Sequence, residues 1–197
     1  MYLVYDMRRW FTADFHIGMT DIIKYENRPF SDIKLHDGHL INICKAIPKD
    51  DVIIHIGDLY SMEARNILKP LDFVTGLDAV FVNIRGNHDL NNNVKSLCDS
   101  MQIHLGKRFP SVICGHYPSY DRRALRYIKP GYILLCGHVH GRWKHFLDTE
   151  KQILNINVGV DVWDYRLASE DDLVRYIISI IQLPKDKVNI SKNGDIR

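Results

Sequence analysis

The chain has 197 residues, 46% of them hydrophobic and 25% charged, which suits one globular domain with a core of its own and excludes disorder over most of its length. Lys and Arg total 26 against 24 Asp and Glu, a net charge of +2 that gives no support to wholesale binding of nucleic acid or a membrane surface, so any polyanion site must be local. The opening MYLVYDMRRWFTADF lacks the segments of a secretory signal, no apolar run is long enough to span a bilayer, and Cys44, Cys98, Cys114 and Cys136 show no C-x-x-C spacing; a reducing, cytoplasmic compartment is expected.

In chain order, RWFTAD reads as a strand running into Asp14. Ser31 is placed to cap a helix with Ile33, Leu40, Cys44 and Ile47 on one face, weakened by Gly38 and ended by Pro48. DVIIHIGD is a strand reaching Gly57-Asp58, and a short helix is expected over about Ser61 to Lys69. AVFVNIRGNHD is a strand ending at Gly86-Asn87-His88-Asp89, with another helix after the turn Asn91-Asn92-Asn93. SVICGH, ILLCGHVH and ILNINVG are further strands, stopping at Gly115-His116, Gly137-His138-Val139-His140 and Gly159. Ser169 then precedes the acidic first turn Glu170-Asp171-Asp172, with Leu173, Ile177 and Ile180 at helical spacing, although the β-branched content also allows a strand. Residues 1–183 are expected to form a single domain, and 184–197 a polar tail.

Near-continuous apolar runs indicate strands buried on both faces, as in a sheet covered by helices. Polar residues gather where these strands end, the edge at which ligands bind in open α/β sheets. The glycine before each allows a tight turn or a close backbone approach.

Those strand ends offer Asp14-x-His16, Asp58, Asn87-His88-Asp89, His116 and His138-x-His140. Carboxylates, amide oxygens and neutral imidazoles are ligands for hard or borderline divalent cations. Alternation along an extended segment would put both side chains of each x-spaced pair on one face, so that each pair could grip one ion. Asp14, His16, Asp58, Asn87, His116, His138 and His140 exceed the needs of one tetrahedral ion and suit two ions sharing a carboxylate. Ions about 3.5 to 4 Å apart can stabilise both attacking and leaving oxygens on phosphorus, so phosphoryl-ester hydrolysis is the chemistry indicated.

The ordered series resembles the calcineurin-like metallophosphoesterase superfamily, whose blocks read D-x-H, G-D, G-N-H-D/E, G-H and G-H-x-H, over about residues 10 to 160. The resemblance implies a four-layer αββα sandwich of two mixed β-sheets flanked by helices. It assigns Asp14, His16 and His140 to a first metal, Asn87, His116 and His138 to a second, and Asp58 to the bridge, so that His138 and His140 serve different ions. His88 falls where the family places a histidine that contacts the scissile phosphate and protonates the leaving oxygen, with a metal-bridged hydroxide as nucleophile. Two divalent ions are implied, Mn²⁺ foremost, with Fe²⁺, Zn²⁺ or Ni²⁺ as alternatives.

The stretches WFTADFHIG, ENRPFSD and NVGVDVWDYR are similar to a small group of bacterial and phage phosphoesterases, in which a histidine stands where this chain has Met19. Gly57-Asp58 continues as Leu-Tyr-Ser-Met instead of the D-R-G block of protein phosphatases, and Asp89 replaces their Glu, which disfavours protein substrates. Phosphodiesters, as nucleotides or nucleic acid, are the expected substrates; a phosphomonoesterase, a nuclease working inside a complex and a catalytically silent scaffold are the alternatives. Candidate substrate contacts are Arg28, Arg122, Arg126, Trp163 and Arg166, set against a turn-fixing Arg28, a solvated face at Arg122 and Arg126, and a packed corner at Trp163 and Arg166. His55 is expected to pack or hydrogen bond behind a ligand. The oligomeric state is left open.

Overall fold

The computed structural model describes residues 7–61, 74–91, 94–105, 109, 111–124 and 128–182. Each expected strand forms: β1 (Arg9–Thr12), β2 (Val52–Ile56), β3 (Val80–Ile84), β5 (Val112–Gly115), β6 (Ile133–Cys136) and β8 (Ile153–Asn157). Three more, β4 (Ser100–Ile103), β7 (His145–Asp148) and the two-residue β9 (Ala168–Ser169), have too few apolar residues to stand out in the sequence. The strands make two mixed sheets, ordered β3-β2-β1-β9 and β4-β5-β6-β8-β7. In each, the central pairs are parallel and an edge strand is antiparallel.

Alternate residues of β2 divide between two clusters. Ile54 and Ile56 join Phe11, Val112, Cys114, Leu135 and Ile156 in a core shared by both sheets, whereas Ile53 faces Leu40 and Cys44 of the helix α2 (Ile33–Lys45). This two-sided burial explains why these runs are apolar without alternation. The parallel strands end at a common edge, where an isolated bridge between Ala13 and Gly159 ties one sheet to the other.

Further helices among the described residues include α1 (Ile22–Tyr25), α3 (Asn87–Asn91) and α4 (Glu170–Ile181). The cap of α2 is Asp32 rather than Ser31: Asp32 is extended and its carboxylate accepts the Leu35 N–H at 2.9 Å. Over α4 the helix prevails over the strand alternative, because Ser169 and Asp172 close a capping box and Leu173, Ile177 and Ile180 are buried on one face. Burying each such side chain contributes about 1.5–3 kcal/mol.

Among the described residues no helix follows the asparagine turn directly. The helix lies before it, as α3, and residues 94–99 run instead beside the end of β3, with Leu97 N–H donating to Asn83 O and Arg85 N–H to Cys98 O. The helix expected over Ser61 to Lys69 and the tail at 184–197 lie outside the described residues. All four cysteines are free, and no helix among the described residues is long and apolar enough to cross a membrane.

Candidate metal centre

Beyond β1 and β2 the two chains continue side by side, with the N–H of Asp14 donating to Gly57 O and that of His16 to Asp58 O, both at 3.0 Å. They do not stay extended. Asp14, His16, Asp58, His138 and His140 all take left-handed backbone angles, with φ of 60°, 51°, 62°, 71° and 49°. Side-chain residues disfavour this region, and the strain gathers where side chains must turn toward one point. Kinks, and not strand alternation, therefore set the spacing within each x-spaced pair.

Three overlapping groups place their candidate ligand atoms within 4.8 Å of one another: Asp14, His16 and His140; His16, Asp58 and His88; and Asp58, His116 and His138. Asp14 and His16 thus share a group, while His138 and His140 do not, because His140 opens a 3₁₀ turn (His140–Arg142) that carries its ring away from His138. Asn87 joins the third group, its Oδ1 standing 3.1 Å from His116 Nε2. Asp58 lies between, its Oδ2 3.8 Å from His16 Nε2 and 3.2 Å from His116 Nε2. Backbones must pass close to these carboxylates. A Cβ at Gly137 would lie 2.7 Å from Asp14 Oδ2, so a side chain there would displace the carboxylate.

The donors suit divalent cations. His16 is 2% exposed, yet neither ring nitrogen has a hydrogen-bond partner, and burial holds its pKa well below the ordinary value. A buried neutral imidazole with both nitrogens unpaired fits a ligand better than a core residue. Burial followed by the charges of His116 and Arg123 lowers His138 to about 4, leaving it neutral too. Burial pushes Asp14 up. Burial also works against Asp58, but His116, His16 and the His88 N–H hold its carboxyl well below the usual range. Against its own burial, His116 is raised to about 9 by Asp58 and Asp14. Its Nδ1–H donates to Ile56 O at 2.9 Å, which directs Nε2 at Asp58 and Asn87.

Behind the candidate ligands lies a shell of which sequence reasoning found only His55. Asp89, fully buried, accepts the N–H groups of Asp58, Leu59 and Gly86 and the amide of Asn83 at 2.8–3.2 Å. Its carboxylate therefore anchors two ligand loops and is committed there rather than to His88. His55 hydrogen bonds to Asn83 through Nδ1 at 2.8 Å, extending that network as expected of a residue behind the site. Buried Asn157 donates to His140 O and Trp143 O and accepts the Gly159 N–H, fixing the second histidine loop.

The candidate substrate contacts are placed elsewhere. Arg28 is buried, and its five N–H groups are spent on Asp161, Asp14 O, Phe15 O and His36, so none remains for a phosphate. Trp163 is 2% exposed and donates to Asn157 O, with Lys144 over its ring and Arg166 paired to Asp172: this is the packed corner, not a pocket wall. Arg122 is exposed and lines a groove with Ser119, Ile128 and Lys151, none of them a candidate ligand. Arg126 lies outside the described residues. A cavity of about 370 Å³ beside Asn87 and His116 is lined instead by Arg85, Tyr117 and Arg123. Arg123 Nη2 lies 2.9 Å from His138 Nε2, and the guanidinium sits 4.2 Å from the Tyr117 ring centroid. The cationic segment after His116 was visible in the sequence; which of its arginines faced the site was not.

Residues 8–172 match the model of the calcineurin-like phosphoesterase superfamily domain, a span that holds every candidate ligand. Gene 66 protein of Mycobacterium phage L5 is 28% identical, over 85% of this chain and 94% of that protein. An uncharacterised protein of Methanocaldococcus jannaschii is 27% identical, over 84% of this chain and 88% of its own. Among solved structures, a protein of unknown function from Aquifex aeolicus shares the fold, with a TM-score of 0.61 and 22% identity over 87% of this chain and 100% of that one.

Proposed function

The chain belongs to the calcineurin-like phosphoesterase superfamily, and from that premise we propose a dinuclear, metal-dependent phosphoesterase that prefers phosphodiesters of the nucleotide or nucleic-acid kind. The observation that carries the reading is Asp58, whose Oδ2 lies 3.8 Å from His16 Nε2 and 3.2 Å from His116 Nε2, close enough to one residue of each proposed set for a single carboxylate to be common to both. Asp14, His16 and His140 would hold one divalent ion and Asn87, His116 and His138 another, with Asp58 common to both; Mn²⁺ is the first to test. Such ions, when bound, supply Lewis acidity to the phosphoryl oxygens and a nucleophile at neutral pH.

The chain's own residues do the rest. Asn87 directs its amide at the charge that develops on the phosphoryl oxygens. The His88 N–H is pinned to Asp58 Oδ1 at 2.8 Å, and its half-buried ring meets that of His16 edge-on at 4.9 Å. From there His88 gives a proton to the departing alkoxide as the P–O bond breaks. The cavity beside Asn87 and His116 offers room and an aromatic ring to the second arm of a diester, with Arg85 paired to Asp99 and Arg123 paired to Asp121 at its wall, and the room supports diesters over monoesters.

Metal-stripped protein assayed on bis-p-nitrophenyl phosphate and p-nitrophenyl phosphate, with and without Mn²⁺, tests this. Mn²⁺-dependent turnover of the diester, reduced about 10²–10⁴-fold in His88→Ala, is expected. Faster hydrolysis of the monoester would reverse the substrate assignment, and no turnover of either ester by folded, metal-loaded protein would favour a silent scaffold.

Ion binding should also release protons. Because Asp58 and Asp14 hold His116 at about 9 despite its burial, an ion at pH 7 must displace the proton that faces Asp58. Apparent affinity then rises with pH up to about 9 and levels above it. Calorimetric Mn²⁺ titrations in buffers of different ionisation enthalpy should report at least about one proton released at pH 7, His140, also raised against its burial by Asp161 and Asp14, adding to His116; none released would contradict the electrostatics.

A further inference from the structure

Two stretches distant in sequence, ENRPFSD and NVGVDVWDYR, meet behind the first group of ligands. Arg28 grips Asp161 with two parallel hydrogen bonds, Nε to Oδ1 and Nη2 to Oδ2, both 2.9 Å, and the two side chains are 0% and 3% exposed. The remaining donors of Arg28 reach Phe15 O at 3.0 Å, Asp14 O at 2.7 Å and His36 Nε2 at 2.7 Å. Arginine has no acceptor, so His36 Nε2 accepts, and its Nδ1–H donates to Asp37 Oδ1 at 2.7 Å. Asp37 Oδ2 in turn accepts the Gly18 N–H at 3.0 Å. At the other end, Asp161 Oδ2 stands 3.3 Å from His140 Nδ1, a buried nitrogen whose alignment with the carboxylate falls short of a hydrogen bond and which has no other hydrogen-bond partner among the described residues.

A buried ion pair of this kind gives little net stability, because removing both charges from water offsets most of their attraction. Its contacts are nonetheless specific. Arg28 holds the carbonyls of Asp14 and Phe15, inside the D-x-H turn where Asp14 and His16 both take left-handed angles. Asp161 faces the ring of His140. Carboxylates that hold the far nitrogen of a metal-binding imidazole fix its tautomer and orientation and raise its basicity.

Resting on the dinuclear reading above, we infer that Arg28 and Asp161 are positioning residues for the first ion: Asp161 takes His140 Nδ1–H so that Nε2 is free to ligate, and Arg28 locks the turn that carries Asp14 and His16. Glu26, whose Oε1 is 4.0 Å from the same nitrogen and whose side chain is 27% exposed, is the contrasting case. A carboxylate so placed and solvated contributes little.

Mn²⁺ titration of wild type, Asp161→Asn and Glu26→Gln, with folding checked by circular dichroism, tests the assignment. Asp161→Asn is expected to weaken one of two Mn²⁺ sites about 10–100-fold and leave the other in place, while Glu26→Gln stays within about twofold of wild type. A folded Asp161→Asn that binds both ions as wild type does would overturn the inference.

A second measurement needs no variant. Nitrogen-15 spectra of Zn²⁺-loaded wild type should show His140 protonated on Nδ1, with Nε2 shifted by the metal; the opposite tautomer would overturn the inference even if Asp161→Asn failed to fold. Wild type that takes up no divalent ion would refute the dinuclear reading itself. Two bound ions with the wrong tautomer would refute the positioning role alone.

Discussion

Asp58→Asn is expected to lower metal-dependent turnover by at least about 10³-fold, the scale of losing a principal source of transition-state charge stabilisation. The substitution keeps the shape of the side chain, and its Oδ1 can still accept the His88 N–H, so the fold should persist. What it removes is the charge shared by the two ligand groups. The pKa of His116, now about 9, should fall as well, since the Asp58 carboxylate is the chief influence that raises it against burial. Steady-state kinetics with an NMR titration of His116 provides the check. A variant with near wild-type turnover, or one that leaves the His116 titration unmoved, would remove Asp58 from the centre of the account.

The second large effect concerns stability. Asp89→Ala leaves the N–H groups of Asp58, Leu59 and Gly86 and the amide of Asn83 without their acceptor, in a place where Asp89 itself is fully buried. Each unsatisfied buried donor costs about 1–3 kcal/mol. The sum is a loss of several kcal/mol against a total stability of roughly 5–15 kcal/mol. Urea denaturation of the two proteins measures it directly. A loss below about 1 kcal/mol would mean that water or neighbouring oxygens replace the carboxylate, and that Asp89 is not what joins the two loops.

The sequence disclosed the candidate ligands because each stands just past a short, two-sided apolar strand, and β1, β2, β3, β5 and β6 deliver them to one edge. It misled on how they converge. Alternation alone put His138 and His140 on one face, the family resemblance assigned them to different ions, and positive φ at both with a 3₁₀ turn at His140 separates them. Positive φ at a residue with a side chain has only a weak sequence signature, an enrichment in Asn, Asp and His, because packing around the turn imposes it.

The supporting residues were only partly legible: a turn-fixing Arg28 was one of its two readings, but its partner Asp161 was not foreseen. Arg28 and Asp161 lie 133 positions apart, and a loop arginine beside a proline looks the same whether it points to solvent or to a buried carboxylate. Asp89 was legible as part of a motif, but its role depends on four donors that only the fold assembles. Trp163 and Arg166 stood open between a pocket wall and a packed corner, and burial of the indole with its N–H on Asn157 O, beside the Arg166–Asp172 pair, fits the corner.

The most direct test is crystallographic. Protein soaked or grown with Mn²⁺ should show two anomalous peaks per chain, about 3.5 to 4 Å apart. Asp58 should lie between them, Asp14, His16 and His140 around one, and Asn87, His116 and His138 around the other. A single peak, or two peaks that do not share Asp58, would contradict the dinuclear centre.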